Sequence, residues 1–215
     1  MKTLFTTNVG SHAWSMNNKD SDIDVFTVKI ASTEHFLEGT EFSGVSSHTG
    51  NSGVGQTDNV IHEIRKVIDE LIKGNINFLI GTMSPIVLYQ KDDYLHTLRQ
   101  LVNKYCQTKA CAHSIKGLAT HNYKKYIIGS DTAREYSETK KCNMINRTLL
   151  FGIHVMNGDG FVFTPVTCQT PQDVVDMIQH FDESVKKSSI PEETSPMPFR
   201  NFLFQLRKKE LFDML

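Results

Sequence analysis

Residues 3–9 and 23–31 are rich in Val, Ile, Thr and Phe and are bounded by Gly, Ser, Asn or Asp, which is how strands read in a sequence. Residues 38–56 carry five glycines and four serines with too little apolar content to pack, so a loop or loose hairpin is expected there. At Ile61 the period changes. Ile61, Ile64, Val67, Ile68, Leu71 and Ile72 share one helical face, and Gly74-Asn75 supplies the stop. Further helical patterns cover 94–105, 113–128, 140–156 (ended by Asn157-Gly158), 171–187 and 199–211, and the Pro/Ser/Glu stretch 188–198 reads as a linker. Strands first and helices afterwards imply a segregated α+β plan: a small mixed or antiparallel sheet near the N-terminus and a helical C-terminal half. The expected division is a core over 1–90 and a helical region over 91–215 that completes a cleft.

Composition narrows the class. A chain of 215 residues with 39% hydrophobic content can bury one core plus a small helical annex. Cys106, Cys111, Cys142 and Cys168 are scattered without a repeated close pair, and the apolar stretch after Lys2 is too short for a signal peptide. A reducing, cytoplasmic setting with free thiols is expected. No apolar run approaches the roughly 20 residues of a membrane span, so no membrane partner is expected. The net charge of −1 hides an asymmetry: residues 1–60 hold three basic and seven acidic side chains, while 116–147 hold seven basic and three acidic. The first part suits cations and the second anions, although charged surfaces are also patchy by chance.

The chemistry concentrates in Gly10-Ser11 and in Asp22-Ile23-Asp24-Val25. Side chains of a strand alternate, so Asp22 and Asp24 point one way while Ile23 and Val25 point to the core. Two carboxylates in one small volume repel unless a divalent cation neutralises both, and hard oxygen ligands suit Mg2+ or Mn2+. Gly10-Ser11, at the end of the preceding strand, offers close backbone approach, exposed N–H groups and a hydroxyl, which suit a phosphate. Taken singly, an Asp-x-Asp pair is more often a solvated turn or cap, and a Gly-Ser pair says still less. Their spacing carries the argument. Lys116, Lys124, Lys125, Arg134, Lys140, Lys141 and Arg147 are the available counter-charges, and Lys140 and Arg147 stand two turns apart on one helical face. Cys106, Cys111 and His113 are too few and too widely spaced for a structural zinc.

Gly10-Ser11, ten intervening residues and then Asp22-x-Asp24 opening a β-rich run resembles the signature of polymerase-β superfamily nucleotidyltransferases. The wording GSHAWSMNNKDSDIDVFTV is similar to a branch of bacterial and phage nucleotidyltransferases, and TDNVIHEIRKVIDELIKGNINFLIGTMSP, 57–85, is similar to that branch's next block. KKCNMINRTLLFGIHVMNGDG, 140–160, echoes a later block weakly. The chain departs from the pattern at Ile76, where proline is frequent, at Ile80, where glutamate is frequent, and at Met144, where a histidine is expected.

The resemblance implies a nucleotidyltransferase core at 1–90. By it, Asp22 and Asp24 bind metal, Asp58 is the third carboxylate that helps remove the acceptor's proton, and Gly10, Ser11, Lys140 and Arg147 bind the nucleotide. Glu63 rivals Asp58 by proximity, but at a helix start its ordinary task is to favour the dipole, worth on the order of 0.5 kcal/mol. The implied activity moves a nucleoside monophosphate from a nucleoside triphosphate onto a hydroxyl of an RNA end, a small molecule or a protein. A catalytically silent nucleotide- or RNA-binding module and a magnesium-dependent phosphohydrolase are the alternatives. Retention of all three aspartates disfavours the first, and the upstream Gly-Ser element disfavours the second.

Overall fold

The computed structural model describes residues 1–19, 21–40, 42, 44–49, 57–129 and 137–212, with 45–49 described through their backbone alone. Arg134 and the 50–56 part of the expected glycine-rich loop lie outside the described residues. Among the described residues, five strands build one sheet: β1 (Lys2–Asn8), β2 (Ile23–Ile30), β3 (Gly44–Thr49), β4 (Thr57–Glu63) and β5 (Val87–Gln90), in the order β3-β4-β2-β1-β5. β2 and β4 run parallel, with Asp24 opposite Asp58; β1–β2, β1–β5 and β3–β4 are antiparallel. The sheet is mixed, as the α+β reading requires.

Two short helices, α1 (Gly10–Ala13) and α2 (Thr33–Leu37), interrupt the strands. The helix expected from Ile61 starts later, as α3 (Ile64–Ile72), because 57–63 are drawn into the sheet beside β2. α4 (Ile76–Met83) was not legible in the apolar pattern: INFLIGTM is hydrophobic almost all round, so it shows no face. Asn75 caps it, and Arg99 holds its far end by donating from Nε to the Thr82 carbonyl at 2.8 Å and from its guanidinium to the Ser84 carbonyl.

The later helices fall close to expectation. They are α5 (Tyr94–Tyr105), α6 (Lys109–Tyr123) with a π-helical turn over Lys124–Ile128, α7 (Glu138–Asn157), α8 (Pro171–Lys187) and α9 (Pro196–Phe212). Their starts carry the chemistry that sequence signals promise: Thr108 and Ser137 accept helix amides, and Thr170 with Asp173 forms a reciprocal capping box ahead of Pro171. α7 stops at Gly158, whose φ of 84° is left-handed. α6, α7 and α8 pack on one another, and at Gly152 a Cβ would stand 2.4 Å from the Phe181 ring, so helix approach there depends on the missing side chain. Buried apolar residues from Leu4 to Leu206 form one cluster spanning sheet and helices. No described helix is long and apolar enough to cross a membrane.

Glu63 stands at the start of α3 and caps it, as expected, but it does more there than favour the dipole. Its side chain is buried; one oxygen accepts from Arg65 N at 2.6 Å, and the other accepts from Ala31 N at 3.2 Å and from Arg207 Nη2 of α9 at 2.6 Å. A buried ion pair that loses one partner leaves the other charge stranded, which is far costlier than losing a dipole contact. Glu63→Gln is therefore expected to lower the unfolding free energy by about 3 kcal/mol in a denaturant titration, not by about 0.5. A shift under 1 kcal/mol would show that Arg207 finds water or another acceptor.

Candidate active site

Strand geometry gathers the predicted residues at one end of the sheet. β1 ends at Asn8; Val9 N then donates to the Asp24 carbonyl at 2.7 Å, which lays the α1 turn against the start of β2. Gly10 adopts φ +63°, and a Cβ there would stand 1.8 Å from Asp24 Oδ2. Only glycine lets the backbone and this carboxylate meet. Parallel in-register pairing sets Asp58 beside Asp24 on the neighbouring strand. Asp22 precedes β2 by one residue and is exposed.

Ser11, Asp22, Asp24, Asp58, Lys140 and Arg147 line one cavity of about 110 Å³. Two larger spaces adjoin it. A polar one of about 250 Å³ lies against Ser11, Asn18, Ser137 and Lys140, and an apolar chamber of about 530 Å³ runs past Gly10, Trp14 and Phe26 toward His62 and Phe78. Met144 and Arg147 border all three, so they form one continuous cleft. Of the three departures from the resembling branch, Ile80 and Met144 both stand on the chamber wall, while Ile76 is buried as the first residue of α4.

Arg147 is the central cation. α7 carries it beneath the sheet's edge, where its guanidinium lies 5.6 Å from the centre of the Trp14 ring. Burial pulls its pKa down from the ordinary value, and the Asp24 carboxylate opposes that shift. Trp14 is itself packed edge-on against Phe151 at 5.6 Å and at a tilt against Phe163 at 4.7 Å, which restrains the ring that supports Arg147. The basic side chains offered as counter-charges reach the carboxylates only in part. Lys140 and Arg147 reach the cleft, but Lys116 is engaged with Asp182 of α8 at 2.7 Å. Glu63 is five residues beyond Asp58 and bonds Arg207 instead, which separates it from the carboxylate cluster.

The donor chemistry of the cluster fits Mg2+ or Mn2+: Asp22, Asp24 and Asp58 present hard carboxylate oxygens to one small cavity. Among the described residues no three His, Cys, Asp or Glu side chains already stand at ion-holding spacing. Closing a ligand set requires side-chain rotation, which the exposed Asp22 is free to make. Cys106 and Cys111, by contrast, are buried in the apolar cluster, and burial pushes the Cys106 thiol up to about 12.

Reasoning from the motif missed His62. It lies on β4 at the same parity as Asp58, a signal that alternation from Asp58 through Val60 would have given. Its ring lies 5.2 Å from that of Phe26 and 4.7 Å from that of Phe78. Burial, with Lys66 nearby, pulls its pKa down to about 4.

A small mixed sheet carrying Gly-Ser at one strand end and Asp-x-Asp at the start of the next, with a helical half closing over them, defines a polymerase-β superfamily nucleotidyltransferase. The profile of the RNA repair pathway DNA polymerase beta family (RlaP) matches residues 1–189, and the chain belongs to that family. No curated protein matches its sequence. Among solved structures it is similar to a nucleotidyltransferase-like protein from Exiguobacterium sibiricum 255-15, at 10% identity and a TM-score of 0.37 over 99% of this chain and 73% of that one. A likeness that loose carries no argument about function.

Two outcomes follow from this geometry. Gly10→Ala should destabilise the fold by about 1–2 kcal/mol through its left-handed φ, and by more through the collision with Asp24. In an Asp24→Ala background the second part should vanish, so a double-mutant cycle by chemical denaturation gives a coupling energy; additivity would refute the contact. The unfolded His62 imidazole takes a proton near 6.5, whereas the folded one resists until about 4. Across that window the unfolded state binds more protons, so stability should fall as pH is lowered from about 6.5 to about 4. His62→Phe should remove that share of the slope, and an unchanged slope would place its origin elsewhere.

Proposed function

We propose that this protein transfers a nucleoside monophosphate from a nucleoside triphosphate to a hydroxyl acceptor, with Mg2+ or Mn2+ held by Asp22, Asp24 and Asp58. The observation that carries the reading is the convergence of three carboxylates, the Ser11 hydroxyl and two cations on one cavity. A triphosphate needs donors and cations on one side and a neutralised anionic site on the other, and both stand here. The ion brings charge neutralisation at the phosphates and a lowered pKa at the attacking hydroxyl.

The chain's own residues do the rest. Ser11 donates to the outer phosphates, and Lys140 and Arg147 grip them from α7; Arg147 supplies the planar, already oriented donor fork, while Lys140 acts as a more mobile charge. The acceptor oxygen forms its bond to the α-phosphorus as the bond to the bridging oxygen breaks, and pyrophosphate leaves along the line of attack. Asp58, opposite Asp24 on the neighbouring strand, receives the proton of the acceptor hydroxyl. The description of the matching family, RNA repair pathway DNA polymerase beta, supports an RNA end as the acceptor.

The test incubates the protein with each α-labelled triphosphate, Mg2+ or Mn2+ and total RNA, small-molecule or protein fractions, and asks which pool gains label. Asp22→Asn with Asp24→Asn should abolish labelling. Asp58→Asn should lower turnover by orders of magnitude, about 10²-fold or more, while triphosphate binding changes little, because a base acts only in the chemical step. Undiminished metal-dependent binding in the Asp22→Asn, Asp24→Asn double variant would refute the site. Tight triphosphate binding with no labelled product in any pool would leave the catalytically silent binding module as the better reading.

A further inference from the structure

The apolar chamber is larger than the carboxylate cavity it adjoins, and the bond exchange at the α-phosphorus assigns no role to its apolar wall. About 530 Å³ lies within the range of pockets that bury a small molecule. Its lining combines ring faces with a few polar edges. His62 and Phe78 rings stand 4.7 Å apart, Phe26 lies 5.2 Å from His62, and Trp14 closes one side. The Asn77 and Asn122 amides border the chamber, and no hydrogen bond from another described residue engages either side chain. His62 Nδ1 is buried without a partner beneath Gly44, where an added Cβ would stand 2.9 Å away, so Nε2 is the ring nitrogen left open. A largely apolar space with amide and imidazole edges, the Lys66 and Arg147 cations and no carboxylate among its lining residues matches a flat heteroaromatic ring that hydrogen-bonds at its rim.

We propose that this chamber seats a single nucleobase, packed against the apolar wall of Phe78, Ile80 and Leu118 and read at its edge by His62 Nε2 and the Asn77 and Asn122 amides. The inference rests on the transferase reading of the adjoining cleft. The base belongs either to the donor triphosphate or to the terminal nucleoside of an RNA acceptor; both bring the same ring chemistry through the opening beside Arg147. His62 and Asn122 are thereby specificity-determining residues, and Trp14, the chain's single tryptophan, is a built-in reporter of occupancy.

Trp14 emission is followed while adenosine, guanosine, cytidine, uridine, the four triphosphates, inorganic tripolyphosphate and a short oligoribonucleotide with a free 3′ hydroxyl are added in turn, without metal. Saturable change with nucleosides of one base type, absent with tripolyphosphate, supports the chamber; a tighter response to the triphosphate assigns the donor's base, and a tighter response to the oligonucleotide assigns the acceptor's. His62→Phe keeps the ring's bulk without its nitrogens and should flatten discrimination among bases, while Phe78→Leu reshapes the wall the base packs on and should weaken the preferred nucleoside several-fold. Asn122→Ala, at a partly exposed helix position, guards against misfolding of the core variants and should shift the base preference on its own. The proposal is overturned if no nucleoside perturbs Trp14, if the three variants bind and discriminate like the parent, or if only an unrelated apolar dye occupies the chamber. These readouts need no turnover, so label transfer with unaltered chamber variants would defeat this inference alone. Nucleoside binding without transfer would defeat the transferase reading alone.

Discussion

The parallel pairing of β2 and β4 is the constraint from which the site follows. It sets Asp24 opposite Asp58 at the sheet's N-terminal edge, where the β1–α1 turn also arrives. Anionic side chains brought together there repel, and the surrounding structure holds them against that repulsion. Gly10 pins Asp24 from the strand side by an approach no other residue permits. Arg147 answers from the helical side, and its position depends on Trp14, which in turn depends on Phe151 and Phe163. Removing any member of this chain of contacts loosens the next, so the sheet alone does not make the site.

The helical half does more than cover the sheet. α7 brings Lys140 and Arg147 to the cavity, α4 and α6 wall the chamber with Asn77, Phe78 and Asn122, and α9 reaches back to Glu63 at the end of the very strand that carries Asp58. α9 lies beyond residues 1–189, the part that matches the family profile, yet its Arg207 closes a buried ion pair inside the matched part. The bond from Glu63 to Ala31 N joins the far ends of β2 and β4, so the pairing that aligns the two aspartates is tied at both extremities.

Local features were legible in the sequence and distant ones were not. The Asp22/Asp24 pair and Gly10-Ser11 depend on neighbours within a few positions, and strand alternation and spacing were enough to find them, whereas Asp58 was offered through the resemblance. Helices with one apolar face, such as α5 and the capped α8, were placed to the residue. Where the pattern was ambiguous, tertiary context decided: Ile61 continues the helical face of α3 on paper but pairs with Thr27 of β2 instead, and INFLIGTM hides a helix because it is apolar throughout. Glu63 was misjudged because its partner stands 144 positions later. The chamber was invisible for the same reason, since β2, β4, α3, α4, α6 and α7 each give it one to three side chains.

The most direct test of the account is crystallographic. Crystals of the protein soaked with Mn2+ and a non-hydrolysable triphosphate, measured at the manganese edge, are expected to show anomalous density within coordination distance of the Asp22 and Asp24 carboxylates. The triphosphate should lie between Ser11 and the Lys140–Arg147 face of α7. Manganese bound away from these aspartates, or a triphosphate seated outside this cleft, would contradict the account.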